Sequence, residues 1–77
     1  MRFYISAQYD VGQLSYSKKR EDGGGYDTFI DADSEADAIK VFKAYAAGSK
    51  NPFDPDAKPK QLLLNSEEHP EVKVIDW

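Results

Sequence analysis

Asp31, Asp33, Glu35 and Asp37 alternate along the chain, and closely spaced carboxylates are what a hard cation such as calcium requires, since it binds through several oxygen ligands at once. A calcium loop turns on a glycine at its sixth position and closes with a carboxylate at its twelfth. Counted from Asp31, those places hold Ala36 and Phe42, so no metal is expected. The carboxylates have a second use. On an extended segment Asp27 and Asp31 share a side, and together with Asp33, Glu35 and Asp37 they could form an acidic rim that meets a basic protein surface. A solvated edge that discourages pairing between sheets would explain the same residues.

Other chemistry is thinly represented. General acid–base or nucleophilic catalysis needs a base beside a nucleophile and a third group to orient it. The one histidine, His69, precedes Pro70 in an acidic stretch and reads as a solvated turn residue. Gly23-Gly24-Gly25 is not followed by the Lys-Ser or Lys-Thr of a phosphate cradle, and no dinucleotide fingerprint or nucleophile elbow is present. Neither an enzyme nor a cofactor is expected. Lys18, Lys19 and Arg20 could contact phosphates, with Tyr4 and Tyr16 as stacking partners, although Glu21 and Asp22 offset them at once. Phe53, held between Pro52 and Asp54, would lose little entropy on binding and is a candidate interface anchor, with Asp54 and Asp56 as acidic contacts beside it.

The 77 residues suit a single domain, 1–77, with only a small core. At 40% apolar and 31% charged the composition fits a globular chain, and the absence of cysteine leaves packing to stabilise it without disulfides or thiolate metal sites. No segment has the apolar run of a signal peptide or a membrane span, which points to the cytoplasm. Ten Lys and Arg against 14 Asp and Glu give a net charge of −4, an unfavourable balance for phosphate binding and a favourable one for basic partners.

These residues need a frame. Strict alternation from Arg2 to Asp10, then from Gln13 to Lys18, predicts two half-buried strands in a hairpin around Asp10-Val11-Gly12. Lys18 to Gly25 lacks apolar residues and reads as a freely jointed tip, and Tyr26 to Ala32 reads as a third strand. Ser34 marks an N-cap, with Asp37 at capping-box spacing. The helix it starts runs to Ala47, with Ala38, Ile39, Val41, Phe42, Tyr45 and Ala46 in one apolar stripe, and Gly48 is expected in the left-handed conformation that ends helices. Pro52, Pro55 and Pro59 make 49–60 a loop, after which Gln61 to Asn65 and Val72 to Trp77 read as strands, Trp77 reaching into the core. The predicted fold is α+β: a small antiparallel sheet with one helix on one face, in the order β-β-β-α-β-β. Its other face, carrying Tyr4, Gln8, Ser15 and Ser17, is left to water or a partner.

The stretch YDTFIDADSEADAIKVFKAYAAG, from Tyr26 to Gly48, resembles a strand-cap-helix element found in two groups of proteins from mobile genetic elements. Across Phe3 to Gly48, through Thr28-Phe29, Ser34-Glu35-Ala36 and Phe42, it resembles the arm-type DNA-binding domains of tyrosine recombinases, from which it departs in being acidic. It is also similar to the small acidic anti-CRISPR proteins of phages, which pair one helix with an antiparallel sheet. That second resemblance implies a non-enzymatic protein that binds and inhibits a host protein, such as a CRISPR-Cas or other defence effector, by steric or charge-mimicking blockade. The alternative is a small nucleic-acid-binding domain that uses the sheet and the Lys18–Arg20 hairpin.

Overall fold

A computed structural model describes residues 1–49 and 58–77. Its centre is β1 (Arg2–Gln8), whose alternation places Phe3, Ile5 and Ala7 in the core. Along one edge β1 pairs antiparallel with β6 (Gln61–Ser66), from Phe3 opposite Ser66 to Gln8 opposite Gln61. Outside β6 lies β7 (Lys73–Asp76), also antiparallel. The other edge of β1 is shared by two short strands, β2 (Gln13–Ser15) beside Ser6 to Gln8 and β5 (Ile30–Asp31) beside Arg2 and Phe3. Gly12, with φ of 86°, closes the β1–β2 turn, and its carbonyl accepts from the Tyr9 N–H at 3.1 Å.

The fold is thus α+β, one helix with a small antiparallel sheet, but the predicted third strand is not continuous. Tyr26–Asp27 forms β4, which pairs with β3 (Lys18–Lys19) in a separate two-stranded ribbon, and only Ile30–Asp31 joins β1. The reason is occupancy. β2 already fills the edge of β1 from Ser6 onward, and the Tyr16 N–H still donates to the Ile5 carbonyl at 3.1 Å, so the returning chain first pairs with the incoming one. The expected free tip is correspondingly shorter. Gly23 and Gly25, at φ of 77° and 111°, make the reversal, and the Asp22 carboxylate accepts from the Gly24 N–H at 2.8 Å and from Arg20 Nη2 at 2.9 Å.

Helix α1 (Glu35–Gly48) begins where the capping pattern predicts: Ser34 is extended, and its hydroxyl accepts from the Asp37 N–H at 3.2 Å. Replacing Ser34 with alanine should cost about 1 kcal/mol in urea denaturation by orphaning that N–H. The far end differs from expectation. Gly48 is the last helical residue and is not left-handed, because Ser49 closes the helix, its N–H donating to the Ala46 carbonyl at 3.2 Å and its hydroxyl to the Tyr45 carbonyl at 3.0 Å.

Ala38, Phe42 and Ala46, one turn apart, are the buried line of the helix. Ile39 and Tyr45 flank it, half-buried, each about 60° round from Phe42. Val41 lies about 100° round and is 45% exposed, so it does not belong to the packed stripe. Phe42 meets Tyr45 edge-on at 5.9 Å and Trp77 at 6.4 Å between ring centroids. Trp77 therefore caps the core from outside, still 38% exposed, with the Lys43 ammonium 5.3 Å from its ring centre. No helix among the described residues is long and apolar enough to cross a membrane.

Candidate functional site

The helix covers one face of the sheet, through Phe3, Ile5, Ala7, Leu62 and Leu64. Register assigns the other face. Tyr4 stands opposite Asn65, Ser6 between Ser15 and Leu63, Gln8 between Gln13 and Gln61, and Leu63 opposite Val74. Tyr4, Gln8 and Ser15 thus occupy the open face anticipated for them, while Ser17 lies past the end of β2.

Polar groups on this face are engaged sideways. Gln13 Nε2 donates to Ser6 Oγ at 2.7 Å, Gln61 Nε2 donates to Gln8 Oε1, and the Tyr4 hydroxyl donates to Glu67 Oε1 at 3.3 Å. The Arg2 guanidinium sits 4.3 Å above the centre of the Phe29 ring. Beside those groups the face presents an apolar cluster, the Tyr4 ring, the half-buried Leu63 and Val74, which is 59% exposed, flanked by the exposed Ser15, Asp31 and Asp76. Leu63 and Val74 escaped the sequence reading. The signal was available, because Leu62, Leu63 and Leu64 are consecutive in a strand, where at most two of three neighbours can share a face.

The acidic candidates are distributed along the molecule. Asp27 belongs to the β3–β4 ribbon, with its carboxylate 3.9 Å from Arg20 Nε, whereas Asp31 belongs to the main sheet and accepts from the Met1 ammonium at 3.2 Å. Asp33 and Asp37 are exposed around the start of α1. Glu35 accepts from Lys73 Nζ at 3.1 Å, which ties the helix start to the outermost strand. Both partners are substantially solvated, so a double-mutant cycle on this pair should give less than about 1 kcal/mol and shrink as salt rises. Phe53, Asp54 and Asp56 lie outside the described residues. Among the described residues, no three His, Asp or Glu side chains converge as a metal site would require.

The basic candidates do not combine with the tyrosines as one surface. Arg20 is engaged with Asp22 and Asp27, and Lys18 stands opposite Asp27 in the ribbon. Tyr16 is 9% exposed and packs on Tyr45 with centroids 4.9 Å apart, so its ring is a core element and unavailable for stacking on a base. Its position on the helix-covered side follows from alternation: Ser15 faces the open side opposite Ser6, so Tyr16, whose N–H still donates to the Ile5 carbonyl, turns to the same side as Leu14. His69 is exposed in the β6–β7 turn, which is closed by the Ser66 N–H donating to the His69 carbonyl at 3.1 Å and by the His69 N–H donating to Ser66 Oγ at 3.1 Å.

Compared with protein-family models, curated proteins and solved structures, the chain matches none.

Proposed function

We propose that this protein works by stoichiometric binding to another protein, not by catalysis, and that its open sheet face is the contact surface. The observation that carries this reading is the solvent-exposed face of the sheet, on which Tyr4, Leu63 and Val74 are presented amid polar side chains already bonded to one another. Desolvating the centre of that face is inexpensive, because the Ser6, Gln8, Gln13 and Gln61 side chains there already bond one another. An aromatic ring set among aliphatics on rigid strands is also the usual composition of an interface centre.

The charge balance selects the partner's sign. Asp31 and Asp76 stand on the same face and Glu67 stands beside Tyr4, in a chain of net charge −4, which favours a basic surface. Surfaces of that kind line the nucleic-acid grooves of defence effectors. An inhibitor that occupies such a groove, as phage anti-CRISPR proteins do, is the specific form of the proposal.

Changing Asp27, Asp31 and Asp33 together to lysine should weaken binding to a captured partner at least about tenfold at low salt, while the melting temperature changes by only a few degrees. Unchanged binding would remove the acidic contribution. A nucleic-acid-binding role predicts instead a low-salt gel shift that fades steeply as salt rises. With Arg20 paired and Tyr16 buried, none is expected at micromolar protein.

A further inference from the structure

The two edges of the main sheet are unlike. One is divided between β2, three residues long, and β5, two residues long, and the chain leaves between them for the β3–β4 ribbon. Short, interrupted edges of that kind resist pairing with another sheet. The other edge is β7, and it has no such guard. No proline interrupts 72–76, Val72 and Val74 are 60% and 59% exposed, and the charge of Lys73 is drawn to Glu35 at 3.1 Å. Helix α1 sets its backbone chiefly on β1 and β5, back from this edge.

Backbone direction shows what the edge offers. The Trp77 N–H donates inward to the Lys60 carbonyl at 3.4 Å, so by the alternation of an antiparallel ladder Lys73 and Ile75 also bond toward β6. Val74 and Asp76 therefore turn their N–H and C=O groups outward, where among the described residues they have no backbone partner. We propose that β7 pairs antiparallel with β7 of a second copy of this chain, about a two-fold axis normal to the sheet. Such an axis keeps every side chain on its own face, so it can pass only through a residue: Lys73, Val74 or Ile75. Charge decides among them. An axis at Lys73 sets two lysines directly opposite each other. An axis at Ile75 sets Lys73 opposite Trp77 of the second copy, over whose ring the Lys43 ammonium already stands, 5.3 Å from the centre. An axis at Val74 brings Glu71 to that same place instead, opposite in charge to Lys43. Neither Glu71 nor Lys43 has an ion-pair partner among the described residues, and the two Lys73, diagonal across the axis, each keep their own Glu35. The Val74 register also extends the open face. Leu63 and Val74 of one copy run on into Val74 and Leu63 of the other, so a protein partner would meet two apolar clusters as one surface. The pairing itself does not depend on that partner.

An edge this short makes a small interface, so the dissociation constant should be on the order of 10–100 µM. Sedimentation equilibrium of the purified chain, from about 1 µM to 1 mM, should show monomer giving way to dimer across that range. The Val74 and Asp76 amides should exchange more slowly as the dimer fills. Val74→Pro deletes only an outward N–H and should abolish the dimer, with the melting temperature within a few degrees of the parent's. Lys43→Glu should weaken dimerisation about tenfold, and adding Glu71→Lys should restore it. That reversal, made on two exposed side chains, decides the matter even where Val74→Pro unfolds the chain. A chain that stays monomeric at the highest concentration, a dimer that survives a folded Val74→Pro, or a reversal that fails to rescue Lys43→Glu overturns the proposal. Because only the purified chain is measured, such a failure leaves the binding of another protein to its own test.

Discussion

Phe42→Ala should destabilise the protein by about 3–5 kcal/mol, enough to leave much of the chain unfolded at 37 °C. Phe42 is fully buried and makes edge-on contacts with Tyr45 of the same helix and with Trp77 at the end of the chain's last strand. Its removal leaves a cavity that Ala38 and Ala46, one turn to either side, are too small to fill. A chain of this size has about 4–12 kcal/mol in total at typical stability per residue, so the loss is a large share. Urea denaturation checks it against Val41→Ala, which should stay within about 0.5 kcal/mol because Val41 is 45% exposed. Equal costs for the two would mean that the helix does not pack along the Ala38–Phe42–Ala46 line.

The largest effect on binding should come from the open face. Tyr4→Ala together with Val74→Lys should weaken partner binding by about 2 kcal/mol or more, roughly thirtyfold, since a tyrosine at an interface centre commonly carries that much. The fold should tolerate the change, because Tyr4 is 36% and Val74 59% exposed, and the Tyr4 hydroxyl's bond is to Glu67, itself exposed. Far-ultraviolet circular dichroism should be unaltered. A matching change on the outer helix surface, Lys40→Glu, should leave binding within about twofold if the helix is purely scaffold.

Much of the architecture was legible because two signals coincide at each element. Around Ser34 a capping serine precedes an apolar pattern of helical period, and in Arg2–Gln8 period-two alternation runs without interruption, so both are found where the residues place them. What escaped was decided by competition between segments, which no local pattern contains. Tyr26–Ala32 alternates well enough for a whole strand, yet β2 had taken part of the edge it would need, and the segment divides between two sheets. Gly48 has the freedom to end the helix in the left-handed region, but the Ser49 hydroxyl satisfies the Tyr45 carbonyl first.

The site was legible by face but not by residue. Alternation alone assigns Tyr4, Gln8 and Ser15 to the side away from the helix. Leu63 and Val74 require the β6–β7 register, whereas Tyr16, one residue after Ser15, falls by the same alternation on the helix side, where Tyr45 meets it. The acidic residues are visible in composition, but their local cations are not: Arg20 beside Asp27 and Lys73 beside Glu35 are joined only by the fold.

The central claim, that the open sheet face binds another protein, can be tested without knowing the partner. A photo-crosslinking amino acid placed at Leu63 or Val74, with a control at Lys40 on the outer helix surface, should be irradiated in the cells that naturally contain the protein. A discrete higher-mass adduct from positions 63 and 74, absent at 40 and diminished by Tyr4→Ala, is the predicted result. No adduct from the sheet positions, or equal adducts from the sheet and the helix, would contradict it.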